Sequence, residues 1–184
     1  MILDRLQAAN LRRRTRRTLR NVADRLMREV LLPDGIGGQI GVNALLLRDG
    51  RLYVLGILRA DGAIFAGEKM DNWAVIDKQQ RDRFRNPLHR MHDQAFALRA
   101  LTPELPLEPR VLFVGRGYFP KGRPQGVQLF AEFAAPLRRG GKSKPGPLSP
   151  ELEAAWRRLS EAAGVLPGKE TPALGSRSRD IAAT

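Results

Sequence analysis

The spacing of apolar residues near the start of the chain predicts a long amphipathic helix. Residues 10–29 contain no glycine or proline, and their apolar side chains recur at helical intervals. The apolar face of the predicted helix consists of Leu11, Leu19, Val22, Leu26 and Val30. The opposite face consists almost entirely of arginines, which are Arg12, Arg13, Arg16, Arg17 and Arg20.

Short runs of apolar and β-branched residues predict strands after a glycine-rich break at residues 33–38. The first two runs are joined by Asp49-Gly50, a dipeptide that favours a tight hairpin turn. Residues 111–114 are continuously apolar, as is typical of a buried central strand. Residues 77–85 are too polar to belong to the core. The predicted strands are residues 39–47, 51–58, 63–66, 73–76, 111–114 and 127–133.

Two further helices are predicted from their starting signals. Pro87 is well placed to open a helix that runs to about residue 101, with Leu88, Met91, Ala95 and Leu98 on one face. Ser149-Pro150-Glu151 combines a capping serine with a proline at the first helical position, and the helix that follows is predicted to end near Gly164.

The order of these elements predicts an α/β fold in which helices pack on a mixed sheet. Three segments follow from the pattern: a basic N-terminal helix at 1–34, a core at 35–137, and a C-terminal region at 138–184. In the last segment, residues 138–147 resemble a basic linker, and residues from 167 onward are expected to form a disordered tail.

The net charge of +13 changes the functional picture because it favours polyanionic partners. Residues 1–34 carry nine arginines against four acidic residues, so the positive charge is densest there. Nucleic acid and an anionic lipid surface both fit this charge. A compositional bias of a GC-rich genome is the competing explanation.

Composition also excludes several classes of site and protein. The chain has no cysteine, so disulfides and thiolate metal sites are excluded, and it has only two histidines. No apolar run is long enough to span a bilayer, and the arginine-rich start is unlike a secretory signal. We therefore expect a cytoplasmic protein without a cofactor.

An ordered set of motifs runs through the middle of the chain. Gln39-Ile40-Gly41-Val42-Asn43 is followed by Asp49-Gly50, the run from Tyr53 to Leu58, Gly62, Trp73, Asn86-Pro87-Leu88 and the run from Val111 to Val114. In this order and spacing, residues 28–137 resemble the nuclease-related domain family of the restriction-endonuclease-like superfamily. The resemblance implies a core with a three- to four-strand meander and two later strands, flanked by helices.

The same resemblance implies a metal-dependent active site in the active members of that family. An Asp and a Glu hold a divalent metal there, and a Lys two residues after the Glu orients the attacking water. Residues two apart on a strand point to the same face, which suits this chemistry. Two carboxylates can hold one Mg²⁺ that keeps several waters, one of which becomes the nucleophile.

This chain departs from the family pattern at each of those positions. Asn43 stands where the Asp is expected, Gly56 where the Glu is expected and Leu58 where the Lys is expected. Arg90 stands where a Gln often follows Asn-Pro. The resemblance therefore implies a degenerate site without Mg²⁺, which we expect to be an uncharged, partly apolar hollow lined by Leu58.

The leading hypothesis is a catalytically inactive nuclease-fold module that binds nucleic acid or scaffolds a nucleic-acid complex. The residues expected to contact nucleic acid are Arg12, Arg13, Arg16, Arg17 and Arg90. One alternative is a Mg²⁺-dependent nuclease whose carboxylates have moved to Asp61, Glu68 or Asp71. Another is a structural or protein-interaction domain whose basicity is only compositional.

Other residues have a functional and a simpler structural interpretation. His89 and His92 share a helix face near Asp93, which suits a metal or acid–base role, although exposed polar positions are the simpler interpretation. Trp73 and Trp156 are expected to anchor packing rather than stack on bases. The loop from Gly115 to Gly126 is expected to be flexible and basic enough to touch phosphates.

Overall fold

The computed structural model of the chain describes residues 2–78, 80–139 and 147–165. Its helices and strands, in chain order, are α1 (Ile2–Val22), β1 (Arg25–Pro33), β2 (Gln39–Arg48), β3 (Arg51–Arg59), β4 (Gly62–Phe65), β5 (Asn72–Asp77), β6 (Gln80–Arg85), α2 (Pro87–Leu101), β7 (Leu107–Val114), β8 (Gly117–Tyr118), β9 (Val127–Leu129), α3 (Phe130–Arg139), α4 (Pro150–Ala162) and β10 (Gly164–Val165).

The main sheet has six strands in the order β10-β1-β2-β3-β7-β9. Strands β1, β2 and β3 form an antiparallel meander, and β7 lies parallel to β3 and to β9. Asp49 and Gly50 have φ values of 50° and 71° at the β2–β3 turn, as a two-residue hairpin requires. The predicted hairpin is confirmed, as is the buried central strand at Val111–Val114, each residue of which is buried.

Helices cover both faces of the main sheet, so the α/β class is confirmed. Leu19 and Val22 of α1 pack with Leu46 and Phe133 on one face. On the other face, α2 and α4 pack against a larger cluster that includes Val54 and Val111. Among the described residues, no helix combines the length and apolar character that crossing a membrane requires.

The predicted first helix is wrong in its second half, because residues 25–33 form strand β1. Leu26 and Val30 lie four residues apart, which fits one face of a helix, but in the strand they lie on opposite faces of the sheet. The strand conformation is stabilised by pairing with β2 from Arg25↔Leu47 to Pro33↔Gln39. The segment 1–34 is therefore a helix followed by a strand of the main sheet, not a separate helical unit.

A second sheet, in the order β6-β5-β4-β8, replaces the single meander predicted for this part of the chain. Strand β4 pairs antiparallel with β5 and parallel with the short β8. The exclusion of residues 77–85 from the core is wrong at one position, because residues 80–85 form strand β6 and Phe84 packs against Trp73 and Phe113 of the core. The loop from Gly115 to Gly126 contains β8 and so is partly held by hydrogen bonds to β4.

The predicted strand at residues 127–133 is also shorter in the structure. It ends at Leu129, and α3 begins at Phe130. Glu132 in the first turn of α3 accepts a hydrogen bond from the Leu129 backbone N–H at 3.2 Å, which helps to start the helix. Phe133 and Leu137 then lie four residues apart and face the sheet.

The two remaining helices begin where their capping signals predict. The Asn86 side chain accepts from Leu88 N at the start of α2, and Ser149 accepts from Leu152 N at the start of α4. Most of the predicted linker at 138–147 and the whole of the predicted tail after 167 lie outside the described residues.

Candidate functional site

Asn43 lies next to the last backbone pair of the β2–β3 ladder, which runs from Arg48↔Arg51 to Ala44↔Leu55. Its side-chain Oδ1 accepts a hydrogen bond from the Ile57 backbone N–H at 3.0 Å. The side chain thus continues the ladder where backbone pairing stops. The side-chain oxygen of Asn43 is therefore already bonded to the neighbouring strand.

Gly56 lies on the face of β3 that α2 covers. A Cβ atom built at Gly56 would lie 2.9 Å from Met91 Cε, and Leu58, two residues further, packs against the same apolar cluster. The expected uncharged hollow is therefore a wrong prediction, since Met91 fills the space that a side chain at position 56 would occupy. The flexible end of Met91 is the group that limits this space.

Glu29 is a carboxylate beside Asn43 that the sequence analysis missed. The pairs Arg28↔Ala44 and Val30↔Val42 place Glu29 opposite Asn43, and Glu29 has a φ of 50°, which is uncommon for a residue with a side chain. Both strands change face here: Leu26 packs with the α1 cluster, whereas Val30 packs with the α2 cluster. Recognition of β1 as a strand would have revealed this position.

Burial raises the pKa of the Glu29 carboxyl above its ordinary value. The positive charge of Arg28 and a hydrogen bond with the Asn43 side chain lower that pKa, but they do not outweigh burial. Glu29 is thus a partly desolvated acid beside a neutral amide. Within the described parts of the chain, no three His, Asp or Glu side chains come together to hold a metal ion.

Two of the three acids proposed as relocated metal ligands accept hydrogen bonds from the protein. Asp61 accepts hydrogen bonds from the Arg59 guanidinium at 3.0 Å and from the Arg116 backbone N–H at 2.9 Å. Burial alone would raise the pKa of Asp61. These hydrogen bonds and the positive charge of Arg59 outweigh burial, so the pKa of Asp61 lies below its ordinary value. Glu68 is exposed and accepts from Gln125 N at 3.4 Å, and Asp71 is exposed.

The aromatic and histidine positions mostly have simple structural environments. Trp73 is fully buried and donates from Nε1 to the Gly67 carbonyl at 2.9 Å, while Trp156 is half-buried against the α2-side cluster. Both therefore anchor packing. His89 and His92 are exposed on α2, as is Asp93.

The arginine face of α1 is exposed and crowded. Arg12, Arg13, Arg16, Arg17 and Arg20 are all exposed, and residues 6–23 include no acid. Arg28 of β1 extends this surface. Burial lowers the pKa of the Arg28 guanidinium, and the charges of Arg16 and Arg20 lower it further, while Glu29 raises it. We call the five arginines named here, together with Arg28, the α1 arginine surface.

Arg90 lies away from the α1 arginine surface. It belongs to α2, on the other face of the main sheet, and its Nη2 donates to the Gly41 carbonyl at 2.9 Å. Gln94, one turn further along α2, donates to the same carbonyl at 2.6 Å. The predicted set of contact residues is therefore divided between two faces of the molecule.

Comparisons of the chain with protein-family models, with curated proteins and with solved structures give no match.

Proposed function

We propose that this chain is a catalytically inactive nuclease-fold module that binds nucleic acid, or scaffolds a nucleic-acid complex, through the α1 arginine surface. The observation that carries the proposal is the row of exposed arginines on α1, with no acid among residues 6–23, beside Arg28 of β1. Burial lowers the pKa of Arg28, and the nearby charges of Arg16 and Arg20 lower it further. Arg12, Arg16 and Arg20 also follow one another at intervals of four residues along the helix. Like charges at this spacing destabilise a helix, and a bound polyanion would relieve the repulsion.

The order of the elements supports the nuclease-fold part of the proposal. Helix α1 is followed by the antiparallel meander β1-β2-β3, then by α2, and then by β7, which is parallel to β3. A meander with later strands, flanked by helices, is the arrangement that the resemblance to nuclease-related domains implies. Nucleic acid is an intracellular polyanion, and a cytoplasmic location is part of the proposal.

The absence of catalysis is proposed from the residues at the degenerate positions. Gly56 supplies no ligand and Leu58 cannot hold a water, while Asn43 Oδ1 is bonded to the Ile57 N–H. Glu29 brings one carboxylate to this place. A Mg²⁺ site of the expected kind needs at least one more carboxylate.

The experiment is a salt titration of binding. We expect the full chain to bind labelled duplex and single-stranded oligonucleotides, and its affinity to fall steeply with salt. If each of the five named α1 arginines neutralises one phosphate, duplex affinity falls roughly 500-fold between 50 and 200 mM salt. No binding to DNA or RNA of either form at low salt would overturn the proposal and favour a structural or protein-interaction domain.

A further inference from the structure

The edge strand of the second sheet carries a row of arginines. Arg81, Arg83 and Arg85 are exposed at every second position of β6. Alternate residues of a strand share one face, so these side chains are spaced about 6.7 Å apart along it. Their backbones pair with β5, but no side chain in the described ranges forms a hydrogen bond or ion pair with any of the three guanidinium groups. The row therefore presents positive charge that the protein itself does not neutralise there.

An apolar floor lies next to this row on the same face. The backbone pairs Ile76↔Arg81, Ala74↔Arg83 and Phe65↔Ala74 show that these residues share the face, while Trp73 and Val75 of β5 point to the core. Phe65 and Ile76 are half-buried, and a groove of about 630 Å³ lies over them. Sites for nucleotide-sized ligands span about 300–1,000 Å³, so the groove has adequate size.

The walls of the groove suit an extended ligand that carries both negatively charged and apolar groups. Arg81 and Arg83 line one side, while Met70, which is 46% exposed, and Asp71 lie at another. Tyr118, which is 56% exposed, extends the same face from β8, since it pairs with Ala63 of β4. Positive charge therefore runs beside apolar and aromatic surface.

We propose that this face of the second sheet binds single-stranded nucleic acid, with phosphates on the β6 arginines and at least one base on Phe65. A regular row of cations suits a backbone with regular negative charge, and an aromatic ring in an open groove suits base stacking. A base in a duplex is paired and stacked, so its face cannot reach the recessed Phe65 ring. A lipid surface fits less well, because Phe65 and Ile76, which form the floor of the groove, are half-buried and do not project from it.

This surface is separate from the α1 arginine surface, so the inference does not need the proposed function to hold. The test measures the binding of the full chain to an oligothymidine and to a hairpin duplex with the same number of phosphates. Replacing two arginines, Arg81→Gln with Arg83→Gln, is expected to lower single-strand affinity about 25-fold at 0.1 M salt. Duplex affinity should stay unchanged.

A second variant, Phe65→Leu, keeps the apolar floor but removes the ring. It should weaken single-strand binding about fivefold or more, again without an effect on the duplex. The matched control is Arg16→Gln with Arg20→Gln, which removes the same charge from α1. If that control changes nothing while the β6 variant weakens single-strand binding, the proposed function fails and this inference stands.

Three results would overturn the inference. Single-strand affinity could be unchanged in the β6 variant, which would mean that the arginines only protect the sheet edge. Single-strand and duplex affinity could fall equally, which would indicate a general charge effect. Finally, the β6 variant could lose binding to vesicles containing phosphatidylserine while its oligothymidine binding is intact, which would assign the face to a membrane.

Discussion

Replacing Arg16 and Arg20 by glutamine should separate binding from stability. Both side chains are exposed, and their charges lower the pKa of Arg28, so their removal relieves repulsion in the folded protein. Glutamine has a helix propensity close to that of arginine. We therefore expect the free energy of unfolding to change by less than about 0.5 kcal/mol, or to rise.

Duplex binding by the same double variant should fall substantially. Each phosphate contact contributes about 0.9 to the slope of log affinity against log salt, so two lost contacts lower the slope by about 1.8. At 0.1 M salt this corresponds to a loss of roughly 60-fold in affinity. Fluorescence anisotropy with a labelled duplex at several salt concentrations measures both quantities, and urea denaturation measures the stability.

The matched control replaces Arg99 and Arg157 by glutamine. Both are exposed on helices that cover the other face of the main sheet, so the same charge is removed from another place. We expect this control to keep the wild-type salt slope. Equal slopes for the Arg16/Arg20 variant and wild type, or equal losses in both double variants, would refute the assignment of binding to α1.

Three more predictions concern the site around Asn43 and Gly56 on strands β1 to β3, which we call the strand site, and the start of α2. The triple variant Asn43→Asp, Gly56→Glu and Leu58→Lys should bind Mn²⁺ in isothermal titration, because the methionine end that covers position 56 can move; no heat from a folded variant would contradict the alignment. Asn86→Asp should lower the free energy of unfolding by roughly 3 kcal/mol in urea denaturation, because the buried Asn86 amide donates to three backbone carbonyls that a carboxylate would repel; an unchanged midpoint would contradict this. Because the folded pKa of Glu29 is raised, its ionisation costs stability as the pH rises above the ordinary value of 4.5, so Glu29→Gln should be the more stable protein at pH 7 and should lose this advantage below that value; equal pH profiles in urea denaturation would contradict the sign.

Local signals in the sequence were sufficient for the elements whose ends they determine. Asp49-Gly50 adopts the positive φ values of a hairpin turn, and Asn86 and Ser149 cap their helices as expected. In each case the decisive contact lies within a few residues. Such contacts do not depend on distant parts of the chain, so they can be predicted from the local sequence.

Strand partners and strand faces depended on distant residues. The four-residue spacing of Leu26 and Val30 fits a helix face, and only the pairing with β2, with its change of face at Glu29, reveals the strand. Similarly, the apolar runs at 63–66 and 73–76 are strands as predicted, but nothing local shows that they leave the main sheet and join β8. The row of β6 arginines was missed for this reason, since their common face exists only once residues 80–85 are a strand.

The candidate strand site was predicted in its residue identities but not in its surroundings. The backbone register places Asn43 and Gly56 on neighbouring positions of β2 and β3, as the sequence pattern requires. Glu29 arrives from β1, and Met91 arrives from α2. Both depend on tertiary packing, so neither the extra carboxylate nor the filled space could be derived from the motif alone.

The most direct measurement follows binding and cleavage together. Labelled duplex and single-stranded oligonucleotides are incubated with the full chain at low salt with Mg²⁺ or Mn²⁺. Each sample is then divided between a native gel, which shows complexes, and a denaturing gel, which shows strand length. We predict retained complexes with full-length strands. Cleavage of the strands that Asp61→Ala or Glu68→Ala abolishes would contradict the inactive site. Free, intact strands in every lane would contradict nucleic-acid binding.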